Sequence, residues 1–166
     1  MLGGVPRVSF HCKSVAVGGT FDVFHRGHEQ LIWKAFELGE KVLIGVTSDS
    51  FVTKLEKTHS VQPYVSRVTR LRRFLRERGW LSRATIVPLE DTYGPASRRR
   101  DLEALVITPD TSGNATKLNR IRKENGLHVL KIHRVKLSEA DDGKPISSTR
   151  IRKGEIDREG RVPRSK

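Results

Sequence analysis

Short apolar segments alternate with helical periodicities in the first part of the chain. Residues 14–17 (SVAV) predict a short buried strand, which the pair Gly18-Gly19 closes. From 28 to 38 the apolar side chains recur at helical spacing, and Gly39 is a natural C-terminal stop for that helix. The apolar run 41–46 (KVLIGV) predicts a second strand. The pattern therefore predicts a strand–helix–strand unit.

The same alternation continues through the rest of the chain. The further predicted elements are, in order, an Arg-rich helix over 67–78, strands over 84–89 and 104–108, a helix over 112–125, a strand over 127–135 and a short helix over 147–153. Gly79 follows the first of these helices, and Asn125-Gly126 stops the second. Repeated β-α units with short, continuously apolar strands favour a parallel sheet that is covered by helices on both faces.

Length and composition restrict the class of protein. The 166 residues fit a single domain, which we place at 1–153, followed by a polar tail at 154–166 that we expect to be frayed. No run approaches 18 apolar residues, which excludes a membrane span. Cys12 is the only cysteine, so neither an internal disulfide nor a cysteine-based zinc site can form. The N-terminal segment lacks the apolar region of a secretory signal, and we expect a cytoplasmic protein.

The net charge of +13 points to anionic partners, and it is unevenly distributed. Residues 67–83 carry a net +6, with seven Arg and one Glu. In this segment Val68, Leu71 and Leu75 recur at helical spacing. The arginines that fill the other positions are Arg67, Arg70, Arg72, Arg73, Arg76 and Arg78. We interpret them as a solvated helix face. RNA or membrane-surface binding is the alternative, although no aromatic residues interleave as in a base-stacking platform.

A glycine-rich segment at 18–28 (GGTFDVFHRGH) joins the first predicted strand to the first helix. Ligands of open α/β sheets bind at such loops, where glycines allow close approach and a helix N-terminus attracts anions. His25 and His28 are three residues apart, and Gly27 between them has no side chain to obstruct a phosphate chain. The segment matches neither a Walker A loop nor G-x-G-x-x-G. Phosphate binding is one interpretation; two ordinary surface histidines are the alternative, and a metal pair lacks further ligands.

A second candidate segment lies at 146–152 (ISSTRIR), directly after Lys144-Pro145. Consecutive hydroxyls at a helix start are commonly N-caps. Alternatively, the hydroxyls together with Arg150 or Arg152 would form a second anion site, and the two sites would hold one polyphosphate between them.

These segments resemble a known family. Residues 19–28 resemble the T-x-x-x-x-H-x-G-H signature of the nucleotidyltransferase superfamily, and 146–152 resemble its I-S-S-T-x-x-R motif. Gln62-Pro63-Tyr64 with Arg67 is similar to the Q-P-Y-x-x-R element of archaeal phosphopantetheine adenylyltransferases and of the adenylyltransferase domain of eukaryotic coenzyme A synthase. Residues 91–96 resemble the family's D-x-Y-G-P-A loop.

The segment 104–122 resembles a further family pattern, V-V-S-x-E-T ending in I-N-x-I-R. The matching residues are Thr111, Asn119, Ile121 and Arg122, whereas 108–110 depart from the pattern. The whole resemblance implies a Rossmann-like open parallel sheet of about five strands with helices on both faces. It also implies transfer of AMP from ATP to 4′-phosphopantetheine, which gives dephospho-coenzyme A and pyrophosphate.

The resemblance implies catalytic roles for four residues. His25 and His28 would contact ATP phosphates and stabilise the transition state, and Thr20 would hold the attacking phosphate. Lys54 would neutralise phosphates, with Lys57 as an alternative. Mg²⁺ would bridge ATP phosphates with few protein ligands, and no metal-ligating residues are expected.

The resemblance also implies binding residues. Those for ATP are Gly19, Thr20, Phe21, His25, Gly27, His28, Ser147, Ser148, Thr149 and Arg152. Those for the second substrate are Thr20, Lys54 and Arg122, although Arg122 can instead serve only a helix end. Asp22 is interpreted as a turn residue.

Two other functions compete with this hypothesis. A nucleotidyltransferase with another acceptor, such as phosphocholine, glycerol phosphate, FMN or nicotinamide mononucleotide, would share the first and last motifs but not the elements at 62–67 and 91–96. A non-catalytic RNA-binding domain would use the positive charge but would need neither the histidine segment nor the motif at 146–152.

Overall fold

A computed structural model describes residues 9–55 and 59–164. Its five strands are β1 (Cys12–Gly19), β2 (Gly39–Thr47), β3 (Ala84–Leu89), β4 (Ala104–Ile107) and β5 (Lys131–Arg134). Its α-helices are α1 (Arg26–Leu38), α2 (Asp49–Lys54), α3 (Tyr64–Glu77), α4 (Ser112–Glu124) and α5 (Ser148–Arg152). Short 3₁₀ turns lie at Leu81–Arg83, Gly94–Ser97 and Pro109–Thr111. Among the described helices, none has the length and apolar character that a membrane span requires.

The strands form one parallel sheet in the order β3-β2-β1-β4-β5. The predicted Rossmann-like α/β fold with five strands is therefore confirmed. The chain moves outward from β1 to β3 and then crosses to β4 on the other side of β1. Ligands of such sheets bind beside the carboxyl ends of the strands at this reversal, which lies between β1 and β4.

Alternate residues of the central strands pack on opposite faces of the sheet. Val15, Val17, Val42 and Ile44 belong to the larger core, which α1 and α3 cover. The intervening residues Ala16 and Leu43 belong to a smaller core on the other face, which contains residues of α4 and of the loops that flank β4. The continuously apolar strands are thus explained by burial on both faces.

β5 is shorter than the predicted strand at 127–135. Leu127 and Leu130 are buried, but they precede the strand. The side chain of Asn119 donates to the carbonyl oxygen of Leu130 at 2.9 Å and accepts from its N–H at 2.8 Å. Because α4 holds both polar backbone groups of Leu130, the parallel ladder begins only at Lys131.

The arginines of α3 are not all solvated. Arg72, Arg73, Arg76 and Arg78 are exposed as predicted. Arg67 contradicts the prediction, because only 1% of its surface is exposed. It lies on the same helical face as the buried residues of α3, and its guanidinium donates to backbone carbonyl oxygens inside the protein.

The expected frayed tail is also wrong for the described residues 154–164. Ile156 is buried against Ala140 and Ile146. The carbonyl oxygen of Arg158 accepts from the N–H of Arg26, the first residue of α1, at 3.0 Å. The carbonyl oxygen of Gly160 likewise accepts from the N–H of Asp141 at 2.9 Å, so an apolar side chain and backbone hydrogen bonds hold the segment after α5 against the domain.

Candidate functional site

An apolar pocket of about 370 Å³ lies at the carboxyl ends of β1 to β4. Gly18, Gly19 and Thr20 line it from the end of β1, and Thr47 from the end of β2. Tyr93 and Ala96 of the loop after β3 and residues at the start of α4 complete the wall. The pocket therefore occupies the position that the strand order favours for a ligand.

Both histidines of the glycine-rich segment are built into the start of α1. His25 is the N-cap, and its Nδ1 accepts the N–H of Gly27 at 3.0 Å. The Nδ1 of His28 accepts the N–H of His25 at 3.3 Å, which gives a reciprocal capping arrangement. The two rings stack with their centroids 3.8 Å apart. The cap thus fixes the orientation of both imidazoles.

The hydrogen bonds and burial determine the protonation of these histidines. Burial, with a smaller contribution from the positive charge of Arg158, lowers the pKa of His25 to about 4. Burial and the neighbouring His25 lower the pKa of His28 to about 3, against the opposing charge of Asp22. Both rings are therefore neutral at pH 7. Because each Nδ1 accepts a hydrogen bond, the tautomer assigned here carries its proton on Nε2, which is left as a donor.

These pKa values predict the pH dependence of the histidine signals and of stability. In an NMR titration, His25 and His28 should show no protonation above pH 5. The unfolded histidines, with a pKa near 6.5, bind protons as the pH falls below that value, whereas the folded ones do not. The free energy of unfolding should therefore decrease as the pH falls from 6.5 towards the folded pKa values. The urea-unfolded chain is the control, and a folded-state inflection of either ring near 6.5 would contradict the assignment.

The loop between β1 and α1 is conformationally strained. Phe21 and Val23 have φ angles of 53° and 46°, which bulky and β-branched residues rarely adopt. Phe21 is buried, and its ring lies edge-on to His28 with centroids 5.4 Å apart. Strain of this kind persists only where the surroundings impose it, and it is concentrated at functional sites.

The structure gives a different reason for Gly27 from the one predicted. A Cβ at this position would lie 2.9 Å from Cε1 of His25 and 3.3 Å from a methyl group of Leu137. The missing side chain therefore makes room for the His25 ring.

The motif at 146–152 lies against the loop that joins β1 to α1, residues 20–25, which we name the histidine loop. Ser147 is the N-cap of α5, and its hydroxyl accepts the N–H of Arg150 at 3.3 Å. The hydroxyl of Ser148 donates to the carbonyl oxygen of Asp22 at 2.9 Å, and Arg152 forms an ion pair with the carboxylate of Asp22. Thr149 is exposed. The two motifs, more than a hundred residues apart in sequence, therefore meet at Asp22.

The end of β1 is held to the end of β2 by Arg67, for which the sequence predicted a solvated position and no role in the site. Its Nη1 donates to the carbonyl oxygens of Thr20 and Thr47, each at 2.8 Å. Its Nε donates to the carbonyl oxygen of Gln62 at 2.7 Å, and its Nη2 pairs with Asp49 at 2.9 Å. The Thr20 and Thr47 hydroxyls lie 3.4 Å apart. The Q-P-Y-x-x-R element thus fixes the floor of the pocket.

Lys54 and Arg122 were also predicted to belong to the site. Lys54 is exposed at the C-terminal end of α2; hydrogen bonds from Ser50 and Ser48, and then the charge of Lys54, lower the pKa of Glu90. Lys57 lies outside the described residues. Arg122 is fully buried, and it donates to the carbonyl oxygens of Ala96, Arg99 and His128.

The prediction of Arg122 as a substrate-binding residue is therefore corrected to a structural one. Its guanidinium holds backbone carbonyls that precede β4 and β5, and it has no exposed surface with which to contact a ligand. Neither do the described residues contain a group of three or more His, Cys, Asp or Glu side chains that could hold a metal ion.

The chain is similar to known proteins in both sequence and structure. The family model described as cytidylyltransferase-like matches residues 16–154. A phosphopantetheine adenylyltransferase of Methanosarcina barkeri is 49% identical over 154 residues, which cover 91% of this chain and 93% of the relative. A relative of the same name from Methanopyrus kandleri is 43% identical and covers 87% of this chain and 91% of its own. A solved structure of a protein of unknown function from Archaeoglobus fulgidus has a TM-score of 0.67 at 33% identity, covering 81% of this chain and 99% of its own.

Proposed function

The chain belongs to the cytidylyltransferase-like family and, within it, to the archaeal phosphopantetheine adenylyltransferases, and on that premise we propose the reaction that it catalyses. It transfers the AMP moiety of ATP to 4′-phosphopantetheine and releases pyrophosphate and dephospho-coenzyme A, a step of coenzyme A biosynthesis. A cytoplasmic location is part of the proposal, because ATP, the co-substrate, is a cytoplasmic metabolite.

The observation that carries this proposal is the meeting of the two motifs at Asp22. Ser148 and Arg152 contact the loop whose next residues are the stacked histidines. Hydroxyl, guanidinium and neutral imidazole donors are therefore gathered at one end of the sheet. Such a set of fixed donors suits a polyphosphate whose oxygens gain charge during transfer.

The chemistry requires few protein groups. An oxygen of the phosphate of phosphopantetheine attacks the α-phosphorus of ATP, a new P–O bond forms, and the bond to the β-phosphate breaks to release pyrophosphate. The attacking phosphate is already a nucleophile, so no strong base is needed. Catalysis then consists of positioning and charge stabilisation, to which Nε2–H of His25 and His28 contribute as donors.

The acceptor fits the other part of the site. Thr20 is the first residue of the histidine loop, and it also lines the apolar pocket. We assign the attacking phosphate to Thr20 and the largely apolar pantetheine arm to the pocket. Lys54 remains the proposed neutralising lysine.

Mg²⁺ is assigned to the ATP phosphates rather than to a protein site. Asp22 is the carboxylate nearest the motif contacts, and it already accepts from Arg152 and Gln62. With no group of three ligating side chains among the described residues, the ion would be held by phosphate oxygens and water. Mg²⁺ would supply neutralisation of the triphosphate charge.

The test of the proposed function is pyrophosphate release from ATP with a panel of phosphorylated acceptors. We expect turnover with 4′-phosphopantetheine and none with FMN, glycerol phosphate, phosphocholine or nicotinamide mononucleotide. Turnover with one of these and not with phosphopantetheine would overturn the acceptor assignment. Tight RNA binding at physiological salt without any pyrophosphate release would overturn the enzyme assignment.

Replacing Gly27 with alanine should lower kcat by about tenfold, because the new Cβ displaces the His25 ring that it would touch at 2.9 Å. The measurement is steady-state pyrophosphate release. Gly113→Ala in α4 is the matched control, since a Cβ there meets nothing within 4 Å and kcat should not change. Equal kcat values for the two variants would contradict the role of Gly27.

A further inference from the structure

Asp22 is a buried carboxylate whose partners come from distant parts of the chain. Only 4% of the residue's surface is exposed. Its Oδ1 accepts the N–H of Gln62 at 3.1 Å, and its Oδ2 accepts from Nη2 of Arg152. Its carbonyl oxygen accepts the hydroxyl of Ser148 at 2.9 Å. A turn residue needs none of these contacts, so the turn role expected from the sequence does not account for them.

The carboxylate of Asp22 is charged in the folded protein. Burial alone would raise its pKa, but hydrogen bonds from Arg152 and from the N–H of Gln62 together lower the pKa below its usual value. A buried charge is tolerated only with such partners. The negative charge also acts on His28, whose pKa it raises against the effect of burial. Asp22 therefore lies within electrostatic reach of one group from each of the two motifs.

Arg152 is attached to Asp22 by one corner of its guanidinium. Nη2 makes the ion pair, and within the described part of the chain Nε and Nη1 have no hydrogen-bond partner. The Arg152 side chain is 23% exposed, whereas that of Asp22 is 4% exposed. A guanidinium that an ion pair holds at one nitrogen keeps its other N–H groups available to a second anion.

We propose that Asp22 is a positioning residue for the adenylyl transfer: its carboxylate holds the Arg152 guanidinium at the loop that leads to the two histidines, so that Arg152 and His28 donate to the same ATP polyphosphate. This inference rests on the proposed function. A positioning role for Asp22 differs from an inhibitory role, in which its carboxylate would compete with ATP for Arg152. The single-corner contact favours positioning, because ATP can bind the remaining N–H groups without breaking the ion pair.

The experiment compares Asp22→Asn, Arg152→Gln and the double variant. Asparagine keeps the shape of the Asp22 side chain and an oxygen that accepts the N–H of Gln62. It loses the negative charge that orients Arg152. Calorimetry with α,β-methylene-ATP, without acceptor, measures binding, and pyrophosphate release gives KM for each substrate. We expect each single variant to weaken analogue binding about tenfold and the double variant to weaken it by about the same factor, because one interaction is lost in all three. The KM for phosphopantetheine should stay unchanged.

Asp142→Asn is the matched control. Asp142 forms an ion pair with Arg150, the other arginine of α5, and it accepts the N–H of Lys144 at 3.1 Å. We expect wild-type analogue binding from this variant. If Asp22→Asn does not fold, Asp22→Glu keeps the charge but displaces Arg152, and it should also weaken binding about tenfold.

Three results would overturn the inference. Multiplicative effects of the two single substitutions would show independent roles, and tighter analogue binding by Asp22→Asn would show a competing carboxylate. A lower midpoint of thermal unfolding with unchanged binding would show a merely structural role. If wild-type protein binds the analogue but does not use phosphopantetheine, the proposed function fails while the binding cycle still tests Asp22.

Discussion

Replacing His28 with alanine should lower kcat by about 100-fold or more, with a much smaller change in the KM for ATP. A fixed donor aimed at developing negative charge contributes about this factor in other enzymes. Burial keeps the pKa of His28 at about 3, so the ring is a neutral donor throughout the working pH range. An interaction that strengthens only in the transition state appears in kcat rather than in binding. The measurement is steady-state pyrophosphate release with ATP and 4′-phosphopantetheine.

The alanine variant also removes the Nδ1 acceptor for the N–H of His25. His28→Asn separates the two roles, because its side-chain oxygen can accept that N–H while the Nε2 donor is lost. His11→Ala, at an exposed histidine, is the control and should keep the wild-type kcat. A His28→Ala enzyme with the kcat of the control would remove His28 from the mechanism.

The elements and the family were accessible from the sequence, whereas the long-range polar contacts were not. Continuous apolar runs at 14–17 and 41–46 predicted strands that are now seen as β1 and β2. The archaeal phosphopantetheine adenylyltransferase resemblance is confirmed by relatives at 43% and 49% identity. The strand order was not accessible from the sequence, because a local pattern does not show which strands pair.

Arg67 and Arg122 show why the sequence did not predict which arginines are buried. Arg67 lies four residues before the buried Leu71, and Arg122 lies four residues after the buried Leu118. Both therefore occupy the apolar phase of their helices, although arginine is assigned to solvent by default. A charged residue at a core position was the available signal, and each of these arginines is buried because it serves several backbone carbonyls.

Asp22 illustrates the limit of sequence spacing. Its partners Gln62, Ser148 and Arg152 lie 40, 126 and 130 residues away. No periodicity connects such positions, and only the folded sheet places them together. The strained φ angles of Phe21 and Val23 are equally hidden, because neither residue type favours that region. The motifs thus identified the site, and the structure supplies the contacts that join them.

Replacing Arg67 with methionine should lower the free energy of unfolding by about 3–5 kcal/mol, the scale for removing one partner from a buried charged network. The ion pair with Asp49 contributes little of this, because that carboxylate is exposed and screened by water. The larger loss comes from the carbonyl oxygens of Thr20, Thr47 and Gln62, which would lose a charged donor in a water-poor site. Urea denaturation measures the change.

Arg73→Met on the same helix is the matched control for this prediction. Arg73 is exposed, and its substitution should change the free energy of unfolding by no more than about 0.5 kcal/mol. Asp49→Asn should lie close to the control, which would separate the carbonyl contacts from the ion pair. If Arg67→Met instead unfolds at the urea concentration of Arg73→Met, water replaces the guanidinium without cost. Arg67 would then not be what holds Thr20 against Thr47, and the floor of the pocket would depend on the strand pairing of β1 with β2 alone.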